Sequence, residues 1–267
     1  MIITVNEVKR EVPAGTTLYE LKNAMAPEAD ITVLNSCPAE GDLPLNEGDA
    51  VVFIQRGRQY EAGELDALLA ARHSPGVHDK IACAVVGIAG LGGLGSAAAV
   101  ALARLGVGTL ILADYDVVEP SNINRQHYFL SQIGRFKTEA LKETIADIHP
   151  GVRVRINTVR LNRENIPVLF NGASVIIEAF DKASEKEMLI TTVLEKMKEC
   201  HVVSGSGMAG YGPSNEIVTV RLGKLVICGD QSSEAGQGVG LMAPRVGICA
   251  HHQANEALRL LLELDQE

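Results

Sequence analysis

A glycine-rich turn constrains the fold of this chain more than any other feature. Glycines occupy positions 90, 92, 93 and 95, directly after the apolar run 84–88 and before a helical pattern at 96–105. Glycine permits a tight turn and a close approach of backbone to phosphate, while the start of a helix offers free N–H groups. The turn predicts a nucleotide-binding site that Gly90, Gly92 and Gly95 form together. The alternative is a turn that only packs a helix against a sheet.

Asp114 strengthens the nucleotide prediction. It ends the next apolar strand, 110–114, and follows the last glycine by about 20 residues, which is the spacing of a carboxylate that binds a ribose hydroxyl.

From residue 81 onward, strand and helix patterns alternate, which is typical of an open, mostly parallel sheet. The predicted strands are 81–88, 110–114, 152–159, 175–180 and 201–204, followed by a hairpin at 216–221 and 224–228 and a closing helix at 253–264. We therefore expect an α/β fold of the Rossmann type with helices on both faces of the sheet.

The first sixty residues show a different pattern. A hairpin is predicted around Asn6 and Glu7, a helix capped at Thr16 or Thr17 ends before Pro27, and two strands follow at 31–34 and 50–54. This order is that of a small ubiquitin-like β-grasp. The predicted domains are a β-grasp at 1–60, a helical connector at 61–80 and the nucleotide-binding domain at 81–267.

Charge and cysteine content narrow the functional classes. The 24 basic and 33 acidic residues give a formal charge of −9, the wrong sign for general nucleic-acid binding. The chain has no long apolar run and no apparent secretion signal, so we expect a cytoplasmic protein without membrane contact. The five cysteines are scattered without a Cys-x-x-Cys pair, so zinc is not expected.

A polar loop after the strand 110–114 carries groups suited to a triphosphate. The planar guanidinium of Arg125 and the ammonium group of Lys137 can bind phosphate oxygens. The amide of Asn122 can bind a phosphate or a ribose hydroxyl. A hydride-transfer site has less need of two cations, so a nicotinamide-dependent dehydrogenase is the weaker interpretation. The alternative for the cations themselves is an ordinary solvated loop.

Asp181 follows the apolar strand 175–180 at its carboxyl end, where ligands of open α/β sheets bind. A carboxylate there suits a magnesium ion that bridges phosphate oxygens. The alternative is a surface carboxylate at a helix start, where Ser184 and Glu187 have the spacing of a capping box.

Together these motifs resemble the adenylating domain shared by the ThiF, MoeB and ubiquitin-activating enzymes. The resemblance covers roughly residues 64–265 and is strongest to the ThiF family, including members with their own β-grasp region. It implies roles for individual residues, with Asp114 binding the ribose and Asp181 the magnesium. The phosphates would be bound by Gly90, Gly92, Gly95, Asn122, Arg125, Gln126 and Lys137.

The resemblance also implies a homodimer, because an arginine of each subunit reaches the ATP site of its partner in this superfamily. Arg72 is the candidate for that residue.

The implied reaction is the ATP- and Mg²⁺-dependent adenylation of the C-terminal glycine of a ThiS-like sulfur carrier ending in Gly-Gly. It would belong to thiamine thiazole biosynthesis, with sulfur supplied later by a donor. Cys228, and less so Cys200, are candidates for a sulfur-transfer thiol, against the alternative of structural thiols. Other possible interpretations are the same chemistry on a molybdopterin carrier or a tRNA, and a non-catalytic nucleotide-binding relative.

The β-grasp region itself lacks the end that a carrier requires. Its last strand runs into Gly57, which is followed by Arg58 rather than by a second glycine and a free carboxylate. We therefore expect residues 1–60 to act in docking, dimerisation or regulation, with the substrate carrier on a separate chain.

Overall fold

The computed structural model describes residues 1–58 and 76–263, together with residues 65, 68, 73 and 74. The chain divides into two compact units, Met1–Arg72 and His73–Glu267. Most of the predicted connector lies outside the described residues, and so does Arg72. Among the described helices, none combines the length and apolar composition needed to cross a bilayer.

The first unit is a β-grasp, as predicted. Its elements are β1 (Ile2–Val5), β2 (Val8–Glu11), α1 (Leu18–Met25), β3 (Ile31–Leu34), β4 (Cys37–Pro38) and β5 (Ala50–Ile54). The described strands form one sheet in the order β2-β1-β5-β3-β4, with β1 parallel to β5.

Local chemistry explains the first half of this unit. Asn6 and Glu7 both adopt positive φ, as a two-residue hairpin turn of the primed type requires. Thr17 and Glu20 form a reciprocal capping box at the start of α1, and Leu18 and Leu21 are buried beneath it. The two-residue strand β4 was not predicted, because such a short pairing has no period to detect.

The second unit is a doubly wound α/β domain. Its strands are β6 (Val85–Ala89), β7 (Thr109–Ala113), β8 (Arg153–Asn157), β9 (Val175–Glu178), β10 (His201–Gly205), β11 (Val218–Leu222) and β12 (Leu225–Gly229). Its helices are α2 (Val77–Ala82), α3 (Gly93–Arg104), α4 (Lys137–Ile148), α5 (Ile166–Leu169), α6 (Ala183–Lys196) and α7 (Ala243–Leu261).

The described part of the sheet has the order β11-β12-β10-β9-β6-β7-β8, and only β11 runs antiparallel to its neighbour. Alternate residues of the strands enter two apolar clusters: Ile88 and Ile177 pack with α3, α4 and α7, whereas Ile111 and Ile176 pack with α5 and α6. Helices therefore cover both faces of the sheet, which confirms the predicted fold class.

Two predicted boundaries were wrong, the first because an apolar run does not distinguish a strand from the end of a buried helix. Ile81 was assigned to the first strand but is a buried residue of α2, and the strand begins only at Val85. The last helix begins at Ala243, ten residues earlier than predicted, with Pro244 in its first turn. The polar pair at 251–252 had obscured this helical pattern.

The predicted capping box of α6 is also absent. Lys182 is the N-cap residue, and it makes no side-chain capping hydrogen bond. Ser184 instead lies inside the first turn of α6, which begins at Ala183.

Candidate functional site

A cavity of about 210 Å³ lies at the carboxyl ends of β6, β7 and β9. Ligands of open α/β sheets bind at this edge. Seven of the predicted site residues line it: Gly90, Gly92, Asp114, Arg125, Gln126, Lys137 and Asp181. Gly95 and Asn122 do not line the cavity.

The glycine turn is packed too tightly for side chains. A Cβ on Gly95 would lie 1.9 Å from the carbonyl oxygen of Gly90, and a Cβ on Gly93 would lie 2.8 Å from Val246. Gly90 itself has φ +87° and faces the backbone of Ala179. Gly95 therefore serves to close the turn rather than to contact a ligand, while Gly90 and Gly92 remain on the cavity wall.

The start of α3 adds an electrostatic feature to this turn. Gly92 is the N-cap residue and has no side chain to cap the first N–H groups. Uncapped N–H groups and the positive end of the helix dipole favour an anion such as phosphate. The turn therefore offers the same cradle that the sequence predicted.

Asp114 connects β7 to the glycine turn. Its Oδ2 accepts a hydrogen bond from the Leu91 backbone N–H at 2.7 Å, and its Oδ1 accepts one from the Asp116 N–H at 2.8 Å. Burial raises the pKa of Asp114. The carboxylate thus fixes the turn and also lines the cavity, where its remaining lone pairs are available to a ribose hydroxyl.

The loop that carries Arg125 is ordered by its own side chains. Asn122 is buried, and its Oδ1 accepts a hydrogen bond from the Glu119 N–H at 3.1 Å. Arg125 donates to the carbonyl of Ser121 at 3.1 Å and to Oδ1 of Asn124 at 2.9 Å. Asn122 thus shapes the loop rather than the cavity wall, contrary to its predicted contact with the nucleotide, whereas Arg125 reaches the cavity.

Two further hydrogen bonds join this loop to the glycine turn. Ser96 donates its hydroxyl to the carbonyl of Gly92 at 2.6 Å and accepts from the His127 N–H at 3.1 Å. The buried Tyr128 hydroxyl donates to the carbonyl of Leu91 at 2.8 Å. Burial raises the pKa of Tyr128, so this hydroxyl stays protonated. Sequence reasoning missed the role of both residues. Ser96 is adjacent to the turn but has no motif character of its own, and Tyr128 lies 37 positions from its partner Leu91.

Lys137 brings the second cation to the cavity from the first residue of α4. Its side chain is only 7% exposed, and Nζ donates to Oδ2 of Asp116 at 2.9 Å. Burial of most of the side chain restricts the ammonium to a few positions beside the cavity. Arg125 and Lys137 thus both contribute positively charged side chains to the lining of the cavity.

Gln126 provides an independent sign of a missing polar partner. The residue is 8% exposed, and its Oε1 has no hydrogen-bond partner among the described residues. A buried amide oxygen without a partner costs free energy, so its position beside the cavity suits a ligand that donates a hydrogen bond.

The rest of the cavity is mostly apolar. Its larger apolar side chains are Leu94, Val159, Leu161, Phe180, Met188, Met208, Leu241 and Val246. A lining that combines apolar side chains with charged ones is suited to a nucleotide, which has an apolar base and anionic phosphates.

A buried arginine holds the loops that carry Met208 and Leu241. Arg245 is 4% exposed and donates to Oδ2 of Asp230 at 2.6 Å and to the carbonyl of Gly212 at 2.6 Å. The start of α7 is thereby tied to the segments that follow β10 and β12. Only the folded chain brings these residues, 15 and 33 positions apart, into contact.

Neither candidate for a sulfur-transfer thiol is accessible in the structure. Cys228 is fully buried at the end of β12, does not line the cavity, and burial raises its pKa to about 12. Cys200 is buried as well, with its pKa also raised to about 12. Because the thiolate is the reactive form, both are structural thiols.

Thiol labelling should separate the cysteines into two groups. Cys37 and Cys83 are exposed, whereas Cys200, Cys228 and Cys249 are buried. We expect the native protein to react with iodoacetamide at pH 8 at two thiols and the denatured protein at five, as counted by mass spectrometry with peptide mapping. Rapid native labelling of Cys228 would contradict its assignment as a structural thiol.

The fold and the cavity define the second unit as a doubly wound α/β domain of the class that binds nucleotides at the carboxyl ends of its strands. Residues 66–267 match the family model described as ThiF family, and the chain belongs to this family. Residues 1–57 match a second model, described as ThiS-like ubiquitin. The predicted resemblance is therefore confirmed for both parts of the chain.

Named relatives include adenylyltransferases of two kinds. The chain is 30% identical to the molybdopterin-synthase adenylyltransferase of Salmonella typhimurium, over 67% of this chain and 73% of that protein. It is 29% identical to the adenylyltransferase and sulfurtransferase UBA4 of Eremothecium gossypii, over 83% of this chain and 49% of that protein. The chain thus spans about half the length of the UBA4 relatives it matches.

The name of another relative indicates a role in tRNA modification. A tRNA threonylcarbamoyladenosine dehydratase of Bacillus subtilis is 39% identical over 43% of each chain. Solved structures of the Escherichia coli dehydratase, in complex with AMP and with ATP, share the fold with a TM-score of 0.66 at 22% and 23% identity. Each covers 74% of this chain and 93% of the dehydratase chain.

Proposed function

We propose that this protein adenylates the C-terminal carboxylate of a ubiquitin-like sulfur carrier at the expense of ATP. The observation that carries the proposal is the convergence of the glycine turn, Arg125, Lys137 and Asp181 on one cavity in a member of the ThiF family. Relatives named as adenylyltransferases support the reaction class.

The chemistry requires position and charge rather than a general base. A C-terminal carboxylate has a pKa of about 3.5 and is already ionised at neutral pH, so it can attack the α-phosphorus directly. The glycine turn binds the phosphates, while Arg125 and Lys137 offset the negative charge that develops on the leaving pyrophosphate. The carboxylate and ATP react as oriented partners within one cavity.

The residues fit both ATP and magnesium. The uncapped turn and the unpartnered Oε1 of Gln126 fit a nucleotide with anionic and donor groups. Mg²⁺ takes one or two protein carboxylates plus phosphate oxygens and water, which neutralises phosphate charge. Asp181 is the carboxylate that would hold it. No cluster of three or more metal-ligating side chains occurs among the described residues.

The choice of carrier rests on resemblance and charge. We assign a ThiS-like carrier ending in Gly-Gly, sulfur delivery by a separate donor, and a cytoplasmic role in thiamine thiazole biosynthesis. Each subunit of a homodimer would supply Arg72 to the site of its partner. A molybdopterin carrier is the nearest alternative, since one relative carries that name. The net charge of −9 disfavours a tRNA substrate.

Exchange of labelled pyrophosphate into ATP tests the reaction and its partner together. We expect exchange that requires Mg²⁺ and a Gly-Gly carrier, and that is fastest with a ThiS-like carrier. A carrier lacking its last glycine is the matched control. Exchange with a molybdopterin carrier alone would reassign the pathway, and exchange with none of the carriers or with tRNA alone would contradict the proposal.

The β-grasp unit is expected to remain uncleaved and unmodified. Gly57 has positive φ and continues into Arg58, so it has no free carboxylate to attack ATP. Intact-mass spectrometry after incubation with ATP and Mg²⁺ should find the full chain unchanged, while an added Gly-Gly carrier gains AMP. An N-terminal fragment that carries AMP or a thiocarboxylate would make residues 1–57 the substrate.

The purified protein is expected to contain no stoichiometric zinc. A structural zinc site needs about four cysteine or histidine ligands, and the sequence lacks paired cysteines. Elemental analysis of the dialysed protein measures this. One zinc per chain would show that ligands distant in the sequence assemble in the fold.

A further inference from the structure

A fully buried carboxylate lies at the end of β9, three residues before Asp181. Glu178 has no exposed surface, and its Oε1 accepts a hydrogen bond from the Phe180 N–H at 2.7 Å. Its Oε2 accepts from the hydroxyl of Ser204, the residue opposite it on β10. A buried charge of this kind is unfavourable unless it is fully paired.

Lys186 supplies the balancing charge from α6. Its Nζ donates to Oε1 of Glu178 at 3.0 Å, to Oε2 at 2.8 Å and to the carbonyl of Gly205 at 2.8 Å. All three donor protons of the ammonium are thereby used. Gln253 of α7 adds hydrogen bonds to the carbonyls of Glu178 and Val203, at 2.9 and 3.1 Å. The pair and Gln253 together thus connect β9, β10, α6 and α7.

Stability alone does not explain the pair. Buried ion pairs are often no more stabilising than well-packed apolar side chains of the same volume, because desolvation offsets the attraction. The hydrogen bond from Phe180, by contrast, has a local geometric effect: it folds the backbone after β9 into the turn that ends at Asp181. The pair therefore lies where it can set the position of the cavity carboxylate.

The same turn also contacts the glycine turn. Ala179 donates its N–H to the carbonyl of Ala89 at 2.9 Å, and its own carbonyl oxygen lies 2.9 Å from where a Cβ on Gly90 would be. The backbone between Glu178 and Asp181 is thus held from both sides. A shift of this backbone would move the carboxylate relative to the phosphate-binding turn.

We propose that Glu178 and Lys186 are positioning residues that hold the turn at Ala179–Asp181 and so place the Asp181 carboxylate in the cavity. The proposal rests on the proposed function for the identity of the ligand. Its geometric part, that the pair orders the turn, stands independently of that function.

Removing one charge and removing both have different consequences. Lys186→Met leaves Glu178 buried without its partner charge and should lower the melting temperature strongly. Glu178→Met combined with Lys186→Met removes both charges with side chains of similar length, so stability should recover relative to Lys186→Met. Lys186→Arg keeps the positive charge, so its melting temperature should be higher than that of Lys186→Met. Lys196→Met is the control, since Lys196 lies on the same helix, away from the pair, and donates to the carbonyl of Arg163.

Hydrogen exchange of the ligand-free protein tests the geometric part. In the double variant, the Phe180 amide should exchange about tenfold faster or more, because its acceptor is gone, while the Val202 amide in β10 stays protected. Unchanged protection of Phe180 would overturn the proposal whatever the protein's activity is.

Binding and kinetics test the positioning role. The double variant should bind AMP as the parent does, lose most of the gain in ATP affinity that Mg²⁺ confers, and show a kcat lower by ~10²-fold despite its recovered stability. Recovery of kcat together with stability would reduce the pair to a structural role. If the parent itself shows no Mg²⁺-dependent ATP binding, the proposed function fails, and the exchange result still decides whether the pair orders the turn.

Discussion

Replacing Asp181 with asparagine is expected to lower the rate of carrier adenylation by ~10²–10³-fold without unfolding the protein. Asp181 is exposed three residues after the end of β9, so the substitution removes a charge but leaves no buried group unpaired. The amide cannot supply the anionic ligand that a magnesium ion takes beside the phosphates. The measurement is carrier-dependent pyrophosphate exchange over a range of Mg²⁺ concentrations, with thermal unfolding recorded in parallel.

The matched control for Asp181 is Glu187→Gln. Glu187 is an exposed carboxylate on the adjoining helix and does not line the cavity. Its variant should exchange pyrophosphate at the parental rate. A rate for Asp181→Asn within a few-fold of the parent would remove Asp181 from the proposed mechanism.

Arg125→Ala is expected to cause a second large loss, ~10²–10³-fold in kcat. The guanidinium is held at the cavity by Ser121 and Asn124, so its contacts to phosphate need little reorganisation. These contacts strengthen as charge moves to the leaving pyrophosphate, so the loss should fall mainly on kcat rather than on KM. Steady-state kinetics with saturating carrier and varied ATP distinguish the two parameters.

Arg135→Ala is the control for this variant. Arg135 is a half-exposed cation on the same loop, paired with Glu143 at the surface, and it does not line the cavity. Surface pairs of this kind contribute little to stability. Loss of turnover in both variants would indicate a general disturbance of the loop, and unchanged turnover in Arg125→Ala would make Arg125 a surface residue.

Local patterns were sufficient for much of the fold. The hairpin at Asn6 and Glu7 and the threonine cap of α1 were readable because turn and cap chemistry act over two to four residues. The strand–turn–helix unit was readable because the glycine spacing is itself a local pattern. Gly95 is required by the Gly90 carbonyl five residues earlier, although Gly90 and Gly93 also pack against the distant residues Ala179 and Val246. The carboxyl ends of parallel strands then brought Asp114 and Asp181 to one cavity.

Burial was the property that local patterns did not reveal. Cys228 lies beside polar and glycine residues in the sequence, yet the packing of α7 on β12 removes it from solvent. Asn122 has the character of a ligand-binding residue, but its own loop folds over it. In both cases the deciding contacts come from the way surrounding segments close over the side chain.

By itself the sequence determined most of the order of the elements, the glycine turn, the two cations and the carboxylate of the candidate site. The reason is that hydrophobic period, glycine conformation and strand-end position are properties of short windows. Only the tertiary structure decided which polar groups support that site: Tyr128 bonds Leu91 across 37 positions, and Gln253 bonds Glu178 across 75. Such pairs form because a buried polar group is stable only when it is hydrogen-bonded, and its partner can lie anywhere along the folded chain. A short window of sequence therefore does not identify the partner.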